Sequence, residues 1–342
     1  MHHPYDAFAP VIDFLQQAAN DPDVLAIRMT LYRTGQDSLI IKALERAAKN
    51  GKEVTAVIEL RARFDEDTNI IQATRLQDAG AHVVYGVVGY KTHAKMILVV
   101  RREGDKLRHY AHMGTGNYHH ITTRFYTDFG LMTANPAIGR DVSKIFQQLT
   151  SLGDTKHMEV LLQSPFTLHS GMLERIAREA ASARQGKPAR IIAKMNGLEE
   201  RTIIDALYDA SSAGVKIDLI VRGICSLRAG VPGLSENITV TSIIGRFLEH
   251  HRIYYFENQG QPELFCASAD WMRRNLLARV ETCFPILDPK CFQQVYTEGL
   301  AMYLEDNVGA WQLQPNDEYT RKQNDQPLFS AQQTLIEKYT RA

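Results

Sequence analysis

The feature that most constrains the fold is an internal repeat, in which the second half of the chain follows the plan of the first. The segments AAKNGKEVTAVIEL and ASSAGVKIDLIV each join a helix end to an apolar strand through a glycine, Gly51 and Gly214, which lie 163 residues apart. Further along, a histidine and a basic residue precede an apolar strand, His93-Ala94-Lys95 in the first half and His250-His251-Arg252 in the second. The repeat predicts two similar halves that each contribute one histidine and one cation.

The sequence downstream of the two histidines also matches. A hairpin and a turn of small residues follow each apolar strand, and Asn117 lies 24 residues after His93 while Asn275 lies 25 residues after His250. We therefore expect Asn117 and Asn275 to be equivalent. In an extended strand, residues two apart point to the same side, so His93 and Lys95 are predicted to project together. Burying that pair is costly unless it meets an anion, so an anionic ligand is expected there.

Helix and strand patterns alternate through both halves. Amphipathic segments at 38–51, 68–80 and 198–214 predict helices that end at a glycine, and 168–186 predicts a further helix. Apolar strand patterns occupy 24–32, 53–61, 93–102, 189–196, 215–222 and 250–258. This β-α-β order predicts an α/β fold of mixed sheets flanked by helices. A length of 342 residues is enough for two domains, which we place at 1–158 and 159–342.

The composition bears on partners and compartment. Lys+Arg and Asp+Glu both number 39, so the net charge gives no sign of nucleic-acid binding, although a local basic groove is compatible with it. No stretch approaches the roughly 20 apolar residues that cross a membrane. The N-terminus lacks a signal-peptide pattern, and Met1-His2-His3 is compatible with the remnant of an affinity tag. The four cysteines form no CxxC pair and predict reduced core thiols in a cytosolic protein.

Arginines gather at the predicted strand tips and turns. They are Arg33, Arg61, Arg63, Arg222, Arg274 and Arg279. The planar guanidinium suits phosphate oxygens, so these positions favour a ligand with several phosphates. In the GTGN turn, Asn117 offers an amide donor for the same ligand, whereas the GxxxxGK[ST] pattern of a nucleotide P-loop is absent.

Finer motifs make the family recognisable. Two His-x-basic segments in pseudo-symmetric halves resemble the phospholipase D fold, in which both histidines meet at one phosphate. The motifs LYRTG, ELRARFDE, HAK, GTGNYH, RFYTDFGLMTA, VRGICSL, FLEHHRIYYFEN and SADWMRRN resemble the C-terminal catalytic half of the bacterial polyphosphate kinase family. The fold class expected from this resemblance is two tandem phospholipase D-like domains. The family also has a long N-terminal portion that this chain lacks, so the chain resembles an excised catalytic half.

The resemblance implies roles for matched positions. His93 corresponds to the histidine that becomes phosphorylated, and His250 to the second catalytic histidine, with His251 in a minor role only. Nucleotide-contact positions of the family match Tyr126, Arg222 and His250. Positions associated with magnesium and the phosphates match Arg33 and Arg63; because arginine has no lone pair to offer, we expect these two to hold phosphate oxygens that Mg²⁺ also binds.

The implied reaction is reversible transfer of the terminal phosphoryl group of ATP onto inorganic polyphosphate through a phosphohistidine at His93. His250 is expected to act as an acid or base or to stabilise the phosphate. Lys95 and Arg252 are expected to flank the transferring group, and Asn117, Arg61, Arg274 and Arg279 to bind phosphates. The expected cofactor is Mg²⁺, and the expected partners are ATP, ADP and polyphosphate.

The resemblance also implies the setting in which the protein works. The full-length protein is expected to be a homo-oligomer in the bacterial cytoplasm, with at most peripheral association with the inner membrane and no nucleic-acid partner. The part that this chain lacks is expected to help bind the nucleotide base and to form the dimer.

Two other functions stay open at this point. A phospholipase D-type phosphodiesterase or nuclease would use the same two histidines and pass the phosphoryl group to water, but a single diester does not need so many arginine tips. The chain is also compatible with a polyphosphate-binding fragment that is inactive without the N-terminal half. Detectable nucleotide exchange would exclude a role in binding alone.

Overall fold

The strands fall into two sheets that repeat the same arrangement. A computed structural model describes residues 1–32, 38–59, 66–86, 89–151 and 157–341. The strands in chain order are β1 (His2–His3), β2 (Val24–Leu31), β3 (Glu53–Ile58), β4 (His82–Val84), β5 (Lys91–Thr92), β6 (Met96–Glu103), β7 (Lys106–Gly114), β8 (Tyr126–Thr133), β9 (Leu162–Ser164), β10 (Arg190–Met195), β11 (Lys216–Val221), β12 (Ile238–Ile243), β13 (Leu248–Glu249), β14 (Ile253–Phe256), β15 (Glu263–Ala267), β16 (Arg279–Pro285), β17 (Ala310–Leu313) and β18 (Tyr319–Arg321).

Helices cover the sheets. They are α1 (Ala9–Asn20), α2 (Leu39–Lys49), α3 (Glu66–Asp78), α4 (Pro136–Ser151), α5 (Leu168–Arg184), α6 (Arg201–Ser212), α7 (Arg273–Ala278), α8 (Pro289–Tyr296), α9 (Met302–Glu305) and α10 (Ala331–Thr340). A π-helical turn, Thr297–Ala301, joins α8 to α9.

The order of strands shows the repeat directly. The first sheet contains the order β8-β7-β6-β2-β3-β4, and the second contains β16-β15-β14-β10-β11-β12. In both sheets the β-α-β strands are parallel and the hairpin strands are antiparallel. The predicted α/β class with mixed sheets is therefore confirmed, and each half carries the same six-strand unit.

The predicted helix ends show why the repeat is visible in the sequence. Gly51 and Gly214 have φ values of 78° and 93°, a left-handed conformation that glycine adopts without a Cβ clash. Gly51 N–H donates to the carbonyl of Ala48, and Gly214 N–H donates in the same way to Ser211. The same local hydrogen bonds thus end α2 and α6 and turn the chain into β3 and β11.

A hydrophobic core shared by the two halves holds the sheets together. It contains Met96 and Phe146 from the first half and Ile253, Phe284 and Leu300 from the second, each fully or almost fully buried. Each half also has a core of its own. The arrangement indicates that neither sheet buries its apolar surface without the other.

Each half lends a two-residue strand to the sheet of the other. The β5 strand pairs in parallel with β16, with Lys91 opposite Arg279. The β13 strand pairs in parallel with β8, with Leu248 opposite Tyr126. The segments that follow β5 and β13 carry the two histidines, so this exchange carries each histidine across to the opposite half. The domain boundary placed at residue 158 stays a prediction.

The structure corrects the position of the His-x-basic segments. They were predicted to lie within strands at 93–102 and 250–258, but β6 begins at Met96 and β14 begins at Ile253. The physical reason is the exchange: β5 and β6 belong to different sheets, as do β13 and β14. The chain between them crosses from one sheet to the other and belongs to no strand, although backbone hydrogen bonds of His93, Ala94, Lys95 and Arg252 still reach neighbouring strands.

The N-terminus also differs from expectation. Met1-His2-His3, for which a tag remnant was one interpretation, takes part in the fold: His2 and His3 form β1, pair with β8 and are 0% and 5% exposed. The polar segment beyond residue 310 contributes β17 and β18 to the second sheet, and the predicted terminal helix is α10.

Two predictions from composition can be compared with the described residues. No helix in the described ranges is long and apolar enough to cross a membrane. The cysteines are free; Cys266 and Cys283 are buried as predicted, while Cys225 and Cys291 are half-buried.

Candidate active site between the two halves

The first histidine is held by a carboxylate from the other half. His93 Nδ1 lies 2.8 Å from Glu281 Oε2, and the His93 residue is 8% exposed. The backbone N–H groups of His93 and Ala94 both donate to the carbonyl of Val280 at 2.9 Å. The strand pairing of β5 with β16 therefore places the imidazole beside Glu281, which lies on β16 directly after Val280.

Glu281 is an ionised carboxylate that fixes the proton of His93. It also accepts hydrogen bonds from Ser268 Oγ at 2.5 Å and Asn275 Nδ2 at 2.7 Å. Burial alone would raise the pKa of Glu281, but the interaction with His93 and these hydrogen bonds outweigh it and hold the pKa below its usual value. An ionised carboxylate only accepts, so His93 Nδ1 carries the proton.

The proton on Nδ1 leaves a lone pair on the other ring nitrogen of His93. Within the described residues, His93 Nε2 has no hydrogen-bond partner. Burial lowers the pKa of His93 to about 4, although Glu281 opposes the shift. The imidazole is therefore neutral near neutral pH, and Nε2 is available as a nucleophile.

The second histidine has the same arrangement, with the halves exchanged. His250 Nδ1 lies 2.9 Å from both oxygens of Asp128, which lies on β8 of the first half. Thr115 Oγ1 donates to Asp128 at 2.6 Å, and Thr127 Oγ1 accepts from the His250 backbone N–H at 3.0 Å. Burial would raise the pKa of Asp128, but the interactions with His250, Arg252 and Thr115 outweigh it and hold the pKa well below its usual value. His250 thus also keeps its proton on Nδ1.

The two histidine–carboxylate pairs are equivalent residue by residue. Thr115 supports Asp128 as Ser268 supports Glu281, and each hydroxyl also accepts one backbone N–H, from Phe129 at 3.0 Å and Thr282 at 3.1 Å. Each partner is 153 residues further along the chain than its counterpart. The site therefore has a pseudo-twofold arrangement in which each half orients the histidine of the other.

This equivalence corrects the pairing of Asn117 with Asn275. Gly114 N–H donates to the Lys95 carbonyl at 3.0 Å, and Ala267 N–H donates to the Arg252 carbonyl at 2.9 Å. Counting onward from these two bonds matches Asn117 with Asp270 and not with Asn275. The similar spacing of 24 and 25 residues was misleading because the two hairpins differ in length, β6–β7 being longer than β14–β15.

The cations of the two motifs differ in their surroundings. Arg252 donates to both oxygens of Asp270, at 3.2 and 3.1 Å, and its Nη1 lies 3.1 Å from His250 Nε2. Lys95 is 1% exposed, and its Nζ donates to the His93 carbonyl. Burial, together with Arg252 and Arg279, lowers the pKa of Lys95 to about 7, with Glu281 opposing. Lys95 therefore lies within electrostatic range of groups from both halves, so the two pairs line one site.

Besides His250 itself, the predicted nucleotide-contact side chains are Tyr126 and Arg222, which lie near the second pair. The Tyr126 ring lies 5.2 Å from the His250 ring, measured between centroids. Arg222 donates through Nε to Asn196 Oδ1 at 2.9 Å. Burial and the nearby Arg252 lower the pKa of Arg222, which indicates that the two guanidinium groups share one electropositive region.

The predicted phosphate positions differ in their surroundings. Arg279 opens β16 and acts electrostatically on both His93 and Lys95. Asn117 is half-buried, and its Oδ1 has no hydrogen-bond partner among the described residues. Arg274 is exposed on α7, where its hydrogen bond goes to Met272 Sδ at 3.5 Å. Arg33, Arg61 and Arg63 lie outside the described residues.

The described residues offer little to a bare divalent cation. No group of three or more His, Cys, Asp or Glu side chains in these ranges could hold a metal ion. Asp128 and Glu281 already accept several hydrogen bonds each. The donor set of this part of the chain therefore does not fit a resident metal, and a divalent cation would have to arrive on phosphate oxygens.

Sequence reasoning found the histidines and cations but missed the residues that orient them. Glu281 is 188 residues from His93, and Asp128 is 122 residues from His250. The only sequence signal was the repeat itself, since both carboxylates lie 153 residues apart in apolar, strand-like surroundings. Asn196, which binds Arg222 and also donates to Asp270 Oδ1 at 3.0 Å, carried no motif at all.

Two tandem α/β halves that exchange the strands β5 and β13 around a pair of histidines have the phospholipase D-like fold. Phosphatidylserine synthase from Haemophilus influenzae shares this fold, with a TM-score of 0.58 over 98% of this chain and 92% of that one, at 10% sequence identity. The predicted fold class, two tandem phospholipase D-like domains, is confirmed.

More specific comparisons identify the family. The sequence profiles described as Polyphosphate kinase C-terminal domain 1 and domain 2 match residues 1–155 and 161–332. Polyphosphate kinases from Xylella fastidiosa and Burkholderia ambifaria are 61% and 58% identical over 98% and 99% of this chain. Polyphosphate kinase from Porphyromonas gingivalis superimposes with a TM-score of 0.92 at 38% identity, covering 99% of this chain and 52% of that one. The chain belongs to the polyphosphate kinase family and spans about half the length of these curated relatives.

Proposed function

We propose that this chain is the catalytic part of a polyphosphate kinase, which transfers the γ-phosphoryl group of ATP reversibly to inorganic polyphosphate through a phosphohistidine at His93. The observation that carries the proposal is the state of His93. Its Nδ1–H donates a hydrogen bond to Glu281, its Nε2 has no hydrogen-bond partner among the described residues, and Lys95 and Arg279 lie nearby. A buried neutral imidazole facing cations is suited to attack a polyanion.

The first step forms one bond and breaks one. His93 Nε2 attacks the γ-phosphorus, the bond from that phosphorus to the β,γ-bridging oxygen breaks, and ADP leaves with the electron pair. The imidazole becomes a phospho-imidazolium whose remaining N–H lies on Nδ1. Glu281 stabilises that positive charge at 2.8 Å without taking the proton.

The second step returns the phosphoryl group to an oxygen. The terminal phosphate of polyphosphate attacks the phosphorus on Nε2, the P–N bond breaks, and His93 regains its lone pair. His250 has its proton on Nδ1, so its Nε2 is an acceptor. We assign His250 as the base that takes a proton from the incoming terminal phosphate and returns it in the reverse direction.

The cations hold the charge that moves during transfer. Lys95, Arg252 and Arg279 lie near the two pairs and would bind oxygens of the transferring group. Arg222 and Tyr126 would hold ADP beside His250, and Asn117 would donate to a phosphate oxygen. Arg33, Arg61, Arg63 and Arg274 remain proposed phosphate positions. Mg²⁺ enters as part of the nucleotide substrate, on its phosphates.

The wider setting is part of the same proposal. The full-length protein would be a cytoplasmic homo-oligomer with ATP, ADP and polyphosphate as partners, without nucleic acid, and at most peripheral on a membrane. A phosphodiesterase or nuclease is not favoured, because the curated relatives from Xylella fastidiosa and Burkholderia ambifaria are polyphosphate kinases.

Phosphoryl labelling tests the proposal. The chain is incubated with γ-labelled ATP and Mg²⁺, and in parallel with labelled long-chain polyphosphate, then quenched in base. We expect label that is acid-labile and base-stable on wild-type protein and absent from His93→Gln. His82→Gln, an exposed histidine on β4, is the matched control and should label like wild type.

The outcomes separate the possible failures. Label from polyphosphate but not from ATP would place the chemistry in this chain and nucleotide affinity in the part of the relatives that it does not cover. Label that persists in His93→Gln would refute His93 as the acceptor. No label from either donor would refute catalysis by this chain and leave binding of polyphosphate as its function.

A further inference from the structure

A buried chain of polar groups lies behind the second histidine, on the side away from the candidate active site. It runs from Glu298 to His2 and from His2 to His251, whose Nδ1 lies 3.6 Å from Glu249 Oε2, too far for a hydrogen bond. His2 Nδ1 lies 2.8 Å from Glu298 Oε2, and His2 Nε2 lies 3.0 Å from His251 Nε2. All four residues are at most 3% exposed. Nothing in the proposed chemistry uses His2 or His251.

The hydrogen bonds determine where the protons lie. Glu298 accepts from Lys338 Nζ at 2.6 Å and from Tyr339 Oη at 2.8 Å as well as from His2, so it is an ionised acceptor. His2 Nδ1 therefore carries a proton. Burial lowers the pKa of His2, with Glu298 opposing, so the ring is neutral and its Nε2 has a lone pair. His251 Nε2 must then be the donor in the bond to His2.

The position of His251 connects this bond to the active site. It stands between His250 and Arg252, whose side chains point towards Asp128 and Asp270. The His251 ring points the other way and packs on Phe129, with 4.8 Å between ring centroids. His250 and His251 lie outside both strand ladders, and side chains hold the His250 backbone: its N–H donates to Thr127 Oγ1 and its carbonyl accepts from Asn196 Nδ2.

The anchor of His2 is the strand that also carries Asp128. In the pairing of β1 with β8, His2 lies opposite Phe129 and His3 lies opposite Asp128. The pairing of β13 with β8 ends at Glu249, one residue before His250. The His2–His251 bond is therefore a second tether between the His250 segment and β8. It acts beyond Glu249, where the pairing of β13 with β8 ends.

We propose that His251 is a positioning residue for His250: its Nε2–H donates to His2 Nε2, and this bond keeps the His250 ring on Asp128. The consequence for catalysis rests on the function proposed above. His93 is held separately, by Glu281 and β16, so loss of the tether should slow the step that uses His250 more than the labelling of His93.

Variants of the full chain separate hydrogen bonding from packing. His251→Leu keeps an apolar side chain in place but cannot donate, whereas His251→Gln offers an amide N–H near the position of Nε2. His2→Leu removes the same bond from the other side. His82→Leu, an exposed histidine replaced in the same way, is the control.

The direct readout is the tautomer of His250, from ring-nitrogen chemical shifts of protein labelled at histidine, assigned with His250→Gln. We expect wild type, His82→Leu and His251→Gln to hold the proton on Nδ1, and His251→Leu and His2→Leu to show a mixture of tautomers. In parallel, phosphoryl transfer from labelled His93 to tripolyphosphate should slow by about tenfold or more in the two leucine variants, with initial labelling less affected.

Each result decides the proposal. An unchanged His250 tautomer and unchanged transfer in folded His251→Leu and His2→Leu would overturn it, and so would equal losses in His251→Gln and His251→Leu. If both leucine variants fail to fold, the bond is a stability element and the positioning role is refuted. If wild type never labels, the proposed function fails, but the tautomer comparison still decides whether His251 positions His250.

Discussion

Glu281 and Asp128 each accept the Nδ1 proton of a histidine that belongs to the other half of the chain. A neutral amide in place of either carboxylate would still fit the space and accept a hydrogen bond, but it would not stabilise an imidazolium. The negative charge is thus the property that chemistry at these positions requires. Charge is also the decisive property of the buried Lys95, whose protonation depends on the charged groups around it.

We predict that Glu281→Gln slows phosphorylation of His93 by about 10²-fold or more, because the phospho-imidazolium loses its counter-charge. Rapid-quench labelling of His93 measures the rate. Glu179→Gln, which alters another buried carboxylate that binds backbone N–H groups of the second half, is the control and should label at the wild-type rate. An unchanged rate in a folded Glu281→Gln variant would contradict the assigned role.

Lys95 should take up a proton when a polyphosphate binds. Its pKa of about 7 lies below the ordinary lysine value because of burial, so it is charged below pH 7 and loses its charge as the pH rises through about 7. Bound phosphates favour the charged form and raise this pKa. At about pH 8 we expect uptake of up to about one proton per bound tripolyphosphate, falling towards zero at about pH 6.

Calorimetry in buffers of different ionisation enthalpy measures that uptake. Lys95→Arg keeps the positive charge at all these pH values and should remove the difference between pH 6 and pH 8, within about a tenth of a proton. Lys95 is not the group that takes up the proton if wild type and Lys95→Arg take up the same number of protons at both pH values.

At the scale of elements, the turn after β7 shapes the second histidine–carboxylate pair. Gly114, Thr115, Gly116 and Asn117 leave β7, and Thr115 holds both Asp128 and the backbone of Phe129. A methyl group on Gly116 would overlap the Asp128 carboxylate, whereas one on Gly114 would have its nearest contact at 3.4 Å. The absence of a side chain at Gly116 is therefore what lets Asp128 reach His250.

We predict that Gly116→Ala displaces the Asp128 carboxylate, destabilises the fold by about 1–3 kcal/mol, and slows the transfer step that uses His250 by about 10²-fold. Gly114→Ala, two residues earlier in the same turn, should change both quantities much less. Thermal unfolding and transfer from labelled His93 to tripolyphosphate measure the two effects. Equal behaviour of the two variants would show that the overlap does not control Asp128.

At the scale of the whole molecule, the exchange of β5 and β13 makes each half incomplete. His93 belongs to the first half but its carboxylate belongs to the second, and the reverse holds for His250. Met96 and Phe146 share a buried core with Ile253 and Phe284. Association of the two halves is thus a condition for forming either histidine–carboxylate pair.

We predict that fragments 1–158 and 159–342 co-purify as a one-to-one complex when expressed together, and that labelling of His93 needs both. A mixture that contains His93→Gln in the first fragment or Glu281→Gln in the second should label far more slowly than the wild-type mixture. Labelling of fragment 1–158 alone at the rate of the intact chain would show that Glu281 is not needed and that the halves act separately.

The repeat, the α/β class and most helices followed from local patterns. The ends of α2 and α6 depend on a glycine and a few neighbouring hydrogen bonds, so Gly51 and Gly214 marked them in the sequence. The strands β5 and β13 were not predicted, because two residues are too few to show a period of two. The placement of His93 and Lys95 within a strand was wrong because the chain passes from one sheet to the other there. That change of sheet is visible only from the strands that pair with β5 and β6.

By itself, the sequence determined which residue types this protein brings to its chemistry: two histidines, each with a cation two residues later, repeated at matching places in two halves. Those patterns arise from short-range preferences that hydrophobic periodicity and turn residues record. Only the tertiary structure decided that Glu281 orients His93, that Asp128 orients His250, and that His2 reaches His251. These contacts join residues more than 120 positions apart, and they form because the two sheets pack against a shared hydrophobic core. No local preference encodes a contact that depends on the packing of the whole chain.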